Sequence, residues 1–377
     1  MFIQRKLQKI VENDLGKGKV IIIYGPRQVG KTTLVREVLK NYQGKAEYYS
    51  CEEGDVVEAL SRNTSAGIKQ FFGDRDLIIL DEAQKIKDIG TKLKLLIDNY
   101  PQTQLLVTGS SSFELANQTK EPLTGRKFEY FLFPLSVWEL QETFSNTELK
   151  RMLRSFLTFG SYPEIVPLPE TEAKKRLKEI SGSYLYKDIF SFQEIKNPEV
   201  LSKLVKLLAL QTGQEVSFSE LANKLDVNIQ TIERYIRLLE EAFVIFRLPA
   251  LSRNQRKEVS KTRKIYFYDL GVRNSLIDNF NNLDLRLDTG NLFENFVILE
   301  RMKYLEYAQL YRSRYFWRTY SQKEIDYIEE YDGKLKGYEI KWNQNRKVKP
   351  PKLFLESYPN STFEIVSPDN WLDFVSG

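Results

Sequence analysis

The run Gly25-Pro26-Arg27-Gln28-Val29-Gly30-Lys31-Thr32-Thr33 contains a complete GxxxxGK[ST] pattern. Its glycines let the backbone curl so that successive N–H groups, and the start of a following helix, face a phosphate. Lys31 then reaches the β- and γ-phosphates of ATP, and the Thr32 hydroxyl ligates Mg²⁺. A second apolar run, 76–80, ends in Asp81-Glu82. Asp81 suits a place beside that Mg²⁺, and Glu82 suits polarising an attacking water. A third, 104–109, leads into Ser110-Ser111-Ser112, where Thr108 or Ser110 can read the γ-phosphate or hold the water. Arg126, at the end of Leu123-Thr124-Gly125-Arg126, is placed either to stabilise charge on nucleotide in its own subunit or a neighbour's, or to serve as a structural ion-pair partner.

A second constellation lies near the carboxy end. Glu339 and Lys341 stand two apart on one strand, so they project to the same face. Asp326 stands on the preceding strand of an Asp332-Gly333 hairpin, and Glu294 approaches from a helix. Carboxylates with one lysine can hold a second Mg²⁺ or Mn²⁺ through oxygen ligands and set a water against a phosphodiester. The competing reading is an exposed hairpin rich in Lys and Glu. Between the two constellations, Gln230, Arg234 and Arg237 fall at i, i+4 and i+7 on one helix face suited to DNA phosphates or base edges. Protein packing is the alternative use of such a helix. Arg253, Arg256, Lys257, Lys261, Arg263 and Lys264 face only Glu258, a run that would attract a phosphate backbone. Arg346, Lys347, Lys349 and Lys352 form a further basic patch.

The elements that must position these groups follow from periodicity. Strand candidates at 19–24, 46–51, 76–80, 104–109 and 128–133 alternate with helical patterns at 32–40, 56–70 and 88–99. That alternation predicts an α/β domain with a parallel sheet over residues 1–133. Residues 134–198 read as a helical lid or linker region. Residues 199–264 read as three helices and a hairpin, a winged-helix-like arrangement with 228–241 in the recognition position. Residues 265–377 read as a separate α+β unit with a helix at 291–305 and strands at 311–319, 324–331 and 334–342.

Composition narrows the chemistry. Among 377 residues there is no His, which removes imidazole-based catalysis and His-bearing metal sites. One cysteine, Cys51, leaves no internal disulfide. The formal charge of +5 permits a nucleic-acid partner without requiring one. No apolar run is long enough to span a bilayer, so the expectation is a soluble, cytoplasmic protein with no membrane partner.

Gly-Pro-Arg-Gln-Val-Gly-Lys-Thr at 25–32, Leu-Asp-Glu-Ala-Gln at 80–84, Thr-Gly-Ser-Ser at 108–111, Gly-Arg at 125–126 and Phe-Pro-Leu-Ser at 133–136 together resemble a prokaryotic family. In it an AAA-type P-loop ATPase domain is fused to a DUF4143-like carboxy-terminal domain. The resemblance extends over essentially the whole chain. It implies an AAA-like parallel sheet in which the catalytic and sensing strands are neighbours. The carboxy-terminal part is similar to the PD-(D/E)xK (restriction-endonuclease-like) nuclease fold, with Glu294, Asp326, Glu339 and Lys341 as its site; Ile325 stands where the usual proline precedes the Asp. The expected function is a Mg²⁺-dependent ATPase that couples nucleotide state to DNA binding or remodelling, with self-association open. The alternatives are an ATP-gated metal-dependent nuclease and a nucleotide-dependent switch or protein-binding scaffold.

Overall fold

The computed structural model describes residues 1–62, 64–109, 119, 121–183, 195, 197–253, 263–343 and 349–377. Ser110, Arg256 and Lys257, with Lys261, Arg346 and Lys347, lie outside the described residues. The described chain divides into two compact units, one of them holding Phe2–Pro134 and the other Leu135–Glu240 with Val244–Gly377.

In the first unit short runs rich in aliphatic or aromatic residues form five strands. They are β1 (Val20–Tyr24), β2 (Ala46–Ser50), β3 (Leu77–Asp81), β4 (Gln104–Gly109) and β5 (Lys127–Phe131). All pair in parallel, in the order β2-β3-β4-β1-β5. β1, β3 and β4 are central and buried along their length, which is why they read as unbroken apolar runs. Helices Lys31–Asn41 and Ile89–Asn99 are among the crossovers. The helical stretch expected at 56–70 is two helices, Gly54–Ser61 and Ser65–Phe72, the second capped by the Thr64 hydroxyl. Because β4 lies between β1 and β3, the carboxyl ends of these three strands are neighbours. The loop after β1 and the carboxylates after β3 therefore meet at one edge of the sheet.

The second unit begins with helices Val137–Leu140, Asn146–Phe159 and Glu170–Ser183. Helices Pro198–Leu210, Phe218–Leu225 and Ile229–Glu241 follow, then β6 (Ile245–Pro249) antiparallel to β7 (Arg263–Phe267). After helix Leu270–Leu276 comes the 19-residue helix Thr289–Tyr307. β8 (Ser313–Arg318), β9 (Glu324–Tyr331) and β10 (Lys334–Ile340) form an antiparallel meander. Helix Lys352–Ser357 then returns the chain to β11 (Ser361–Val366), parallel to β10, and helix Trp371–Ser376 closes it.

Stretches read from sequence as 134–198, 199–264 and 265–377 thus share one unit. Buried polar groups tie them. Lys303 donates to the Leu135 carbonyl at 3.0 Å and to Ser161 Oγ at 3.1 Å. Arg273 Nε donates to the Ala209 carbonyl at 2.7 Å. Among the described residues no helix is long and apolar enough to cross a membrane.

Asp269 caps helix Leu270–Leu276 by accepting from Val272 N at 2.9 Å, and it also accepts from Ser161 N at 2.8 Å. Burial pushes its carboxyl up to about 6, and these two bonds only partly oppose that. A folded-state value above the unfolded one means that the folded form takes up a proton first. This contribution to stability is full below about pH 4 and is lost as pH rises through about 6, a change of about 3 kcal/mol. All four Trp lie in residues 138–371, so tryptophan fluorescence follows this unit alone. The expected result is a urea midpoint that drops between pH 4.5 and 7, with that part of the slope missing in Asp269→Asn.

Candidate functional site

The loop after β1 owes its shape to two glycines in left-handed or near-extended positive φ, Gly25 at +158° and Gly30 at +100°. A Cβ on Gly25 would collide with the Leu132 carbonyl oxygen, so only glycine fits where the loop crosses β5. Gly30 then delivers the chain into helix Lys31–Asn41 with no side-chain cap, leaving its first N–H groups to face a ligand. Lys31 is buried, and its Nζ donates to the Gly25 and Pro26 carbonyls at 2.9 Å each. It thus lies across the loop in which phosphates would sit.

Asp81 ends β3 as a hub for hydroxyl groups. Its Oδ2 accepts from Thr32 Oγ1 at 2.7 Å and from Tyr48 OH at 2.7 Å. Its Oδ1 accepts from Thr108 Oγ1. The Thr108 hydroxyl also accepts from Glu82 N at 3.2 Å, so β4 fixes both acidic residues through one side chain. Glu82 holds a left-handed φ of +55°, a conformation non-glycine residues adopt rarely and often at functional sites. Its carboxylate accepts from Gln84 Nε2 at 2.5 Å. Burial and the Asp81 charge push the Tyr48 phenol up to about 12, so it stays a donor. A few hard oxygens, the Thr32 hydroxyl and Asp81, are the donor set Mg²⁺ uses when substrate phosphates and water complete its shell. The residues present therefore fit Mg²⁺ bound together with nucleotide.

Of the sequence candidates, 25–32, Asp81 and Glu82 come together with Thr108. Arg126 does not join them. It precedes β5, whose Lys127 pairs with Val20 at the first residue of β1, the sheet edge opposite the loop. There its Nε binds Asp98 at 2.7 Å with both side chains partly exposed, so it cannot reach a nucleotide held in its own chain. Ser110 falls outside the described residues.

Sequence reasoning missed Arg5. Its buried guanidinium donates to the Val29 carbonyl at 2.8 Å and to the Phe133 carbonyl at 2.6 Å, clamping the loop to the strand end after β5. A basic residue 24 positions before Val29 carries no local signal. Tyr48 was missed for a related reason, since only the strand order brings β2 beside β3.

In the second unit, the register Tyr338↔Tyr327 sets Asp326 beside the end of β10. Asp326 Oδ2 accepts from Ile340 N at 2.8 Å and lies 3.2 Å from Lys341 Nζ, which is also 2.7 Å from Glu339 Oε1. Glu294, Asp326, Glu339 and Lys341 are therefore one cluster. A further cation enters it from β7. Lys264 Nζ lies 3.0 Å from Glu294, 2.5 Å from Glu324 and 3.7 Å from Asp326. Tyr266, two residues along β7, donates to Glu294 at 2.6 Å. Lys264 is thus an internal cation, correcting its place in a phosphate-attracting run. Arg253 of the same run pairs with Glu330. Burial pushes Glu294 up to about 7, with Lys264 pulling it down and Asp326 raising it. Burial and then Asp326 also raise Glu339. Among the described residues no group of three or more carboxylates is arranged to hold a metal ion. Lys264 and Lys341 bond Glu294 Oε1, Glu324 Oε1, Asp326 and Glu339 Oε1, so two ammonium groups lie among the oxygens that a hard divalent cation would use.

On helix Ile229–Glu241, Gln230 and Arg237 are exposed and Arg234 is half-buried against the Tyr235 ring.

Residues 17–141 match the AAA domain family, 150–283 a domain of unknown function (DUF8612), and 289–368 a further domain of unknown function (DUF4143). An uncharacterized protein of Mycobacterium tuberculosis is 28% identical over 335 residues, covering 87% of this chain and 71% of that protein. An uncharacterized protein of Methanocaldococcus jannaschii is 25% identical over 346 residues, covering 85% and 74%. Among solved structures, the Walker-type ATPase of Pyrococcus abyssi superposes with a TM-score of 0.50 at 15% identity, over 73% of this chain and 96% of that one. This last likeness is one of fold.

Because Arg5 braces the loop without facing phosphate, Arg5→Ala is expected to weaken nucleotide binding about tenfold while leaving its Mg²⁺ dependence intact. Titration of a fluorescent ATP analogue with and without Mg²⁺ checks this.

Proposed function

We propose that this chain, an AAA domain joined to a DUF4143 domain, is a Mg²⁺-dependent ATPase whose nucleotide state governs how residues 135–377 hold DNA. The observation that carries the ATPase reading is the Thr32–Asp81–Thr108–Glu82 network, set beside a glycine loop across which Lys31 Nζ donates to the Gly25 and Pro26 carbonyls. In this reading Lys31 exchanges those carbonyls for the β- and γ-phosphates of ATP. The loop and helix N–H groups take the remaining phosphate oxygens. Mg²⁺, when bound, would be held by Thr32 and Asp81 and would supply charge neutralisation of the phosphates. Glu82, released from Gln84, orients the water that attacks in line, and Thr108 keeps Glu82 in register with Asp81.

Support for DNA is of a different kind. Helices Phe218–Leu225 and Ile229–Glu241 followed by the β6–β7 hairpin have the order of a winged helix. A cleft of about 700 Å³ beside them is lined by Ser217, Ser219, Glu233, Arg237, Arg247 and Arg263. Arg247 of β6 is held by Glu240, and Gln230, Glu233 and Arg237 are exposed on helix Ile229–Glu241. Loss of affinity with rising salt is the expected signature of phosphate contacts.

The helix–three strands–helix–strand order of residues 289–366, with β11 parallel to β10, supports kinship of the carboxy-terminal core with the PD-(D/E)xK fold. Metal-dependent cleavage would need the carboxylate oxygens that Lys264 and Lys341 hold, so the kinship is one of architecture in this reading. Self-association would be required for Arg126 to meet a nucleotide, since it could do so only in a neighbouring copy.

The test is ATP turnover measured with and without duplex DNA. Lys31→Ala is expected to lower turnover at least about a hundredfold, and Glu82→Gln to abolish turnover while keeping ATP bound. DNA should raise the wild-type rate, and Arg237→Ala should weaken that stimulation and its salt dependence. Tight nucleotide retention with no turnover, and no DNA binding even at low salt, would instead support a regulatory switch.

A further inference from the structure

Four carboxylates converge where β7, β9 and β10 meet helix Thr289–Tyr307: Glu294, Glu324, Asp326 and Glu339. Isolated buried carboxylates are too costly to keep charged, so such a cluster must take up protons or gather cations. Here two ammonium groups are built in. Lys341 sits between Asp326 and Glu339 at the rim, with its side chain 29% exposed. Lys264 lies inside, 4% exposed, in reach of Glu294, Glu324 and Asp326 together.

The bond pattern shows what Lys264 displaces. Lys264 and Tyr266 both donate to Glu294 Oε1, and the same Lys264 Nζ lies 3.7 Å from Asp326 Oδ1, so the ammonium occupies the space between these two carboxylates. The strand delivers the lysine rigidly. β7 is paired along its length with β6, and Lys264 also bridges to Glu215 on its other side. One carboxylate oxygen of the cluster, Glu339 Oε2, is buried with no hydrogen-bond partner. Burial alone would lower the Lys264 ammonium, yet Glu294, Tyr266, Asp326 and Glu324 raise it well above its ordinary value. It is therefore a fixed positive charge at neutral pH.

We infer that Lys264 is a resident cation that replaces a divalent metal in this cluster, making the carboxy-terminal core a metal-free ion lock between β7 and the four-stranded sheet. The inference rests on the second unit alone and stands whether or not the first unit hydrolyses ATP. It assigns Glu294, Asp326 and Glu339 to holding an internal lysine, with Glu339 Oε2 as the ligand position left over. It also says what would restore a metal site: removal of the one charge that fills it.

Lys264→Met keeps the length of the side chain and removes its charge. Mn²⁺ binding to the full chain without nucleotide, followed by electron paramagnetic resonance, reads the outcome. Wild type and Asp326→Asn are expected to bind Mn²⁺ alike. Lys264→Met is expected to gain one site at least about tenfold tighter, lost again in Lys264→Met/Asp326→Asn. A wild-type Mn²⁺ site that disappears in Asp326→Asn overturns the inference, as does a folded Lys264→Met chain that gains none. Should Lys264→Met fail to fold, the wild-type tryptophan unfolding midpoint decides. No shift with millimolar Mn²⁺ supports the lock, and a rise abolished by Asp326→Asn sinks it.

Discussion

One buried carboxylate organises the first unit. Asp81 is 3% exposed and receives hydroxyl hydrogen bonds from three directions: Thr32 on the phosphate-loop helix, Tyr48 on β2 and Thr108 on β4. Three elements and the strand that bears it are thereby locked at one end of the sheet. The strand order is what makes this possible, because β3 has β2 on one side and β4 on the other. A different order would leave the carboxylate with one hydroxyl instead of three. Hydroxyl groups hydrogen-bond a carboxylate without bringing a counter-charge to it.

The carboxy-terminal cluster meets the same physical problem in the opposite way. Its carboxylates are matched by ammonium groups from the chain itself, Lys264 and Lys341. Neutral donors around one acid make a site that waits for a cation. Cationic donors around several acids make a site that has one. The two ends of the chain thus look alike in composition, acidic residues beside a lysine, and differ in which partner faces the oxygens. In the first unit Lys31 Nζ donates to the Gly25 and Pro26 carbonyls of the loop.

These partners explain what could be read from sequence. The phosphate loop was legible because everything it needs is local: two glycines, a lysine and a hydroxyl within eight positions, then a helix. Asp81 and Glu82 were legible because a strand buried on both faces must be an apolar run, and its polar end shows. Arg126 was read either as a group for nucleotide in its own or a neighbouring subunit or as a structural ion-pair partner; only strand direction bears on its own-chain role, since a residue preceding a parallel strand lies at the edge away from the phosphates. Thr108 stood beside Ser110 as a candidate in the sequence, but its two hydrogen bonds, to Asp81 and from Glu82 N, depend on tertiary pairing. Lys264 was hidden inside a basic run. The signal against that run was its alternation with Tyr266 on one face of a strand, which only burial distinguishes from a solvated edge.

The same dependence on distant partners decides how the second unit coheres. Its segments look separable in sequence because each has its own helices and turns. What joins them is a set of buried ion pairs and charged donors, each spanning segments that apolar periodicity treats as independent. Lys303 binds Glu300 and reaches back to Leu135 and Ser161. Arg318 reaches Glu215, and Lys264 links β7 to helix Thr289–Tyr307 and to β9. Glu329 on β9, fully buried, does the same by binding Arg301 of helix Thr289–Tyr307 at 2.7 Å and Arg312, just before β8, at 2.5 Å. Desolvation makes such pairs poor sources of net stability compared with apolar contacts. Breaking one partner, however, strands a buried charge at a cost of roughly 3–5 kcal/mol. A rearrangement that pulled one partner away while the other stayed buried would strand several charges together, so the pairs penalise partial mispacking more than they reward assembly over full separation, which returns the charges to water.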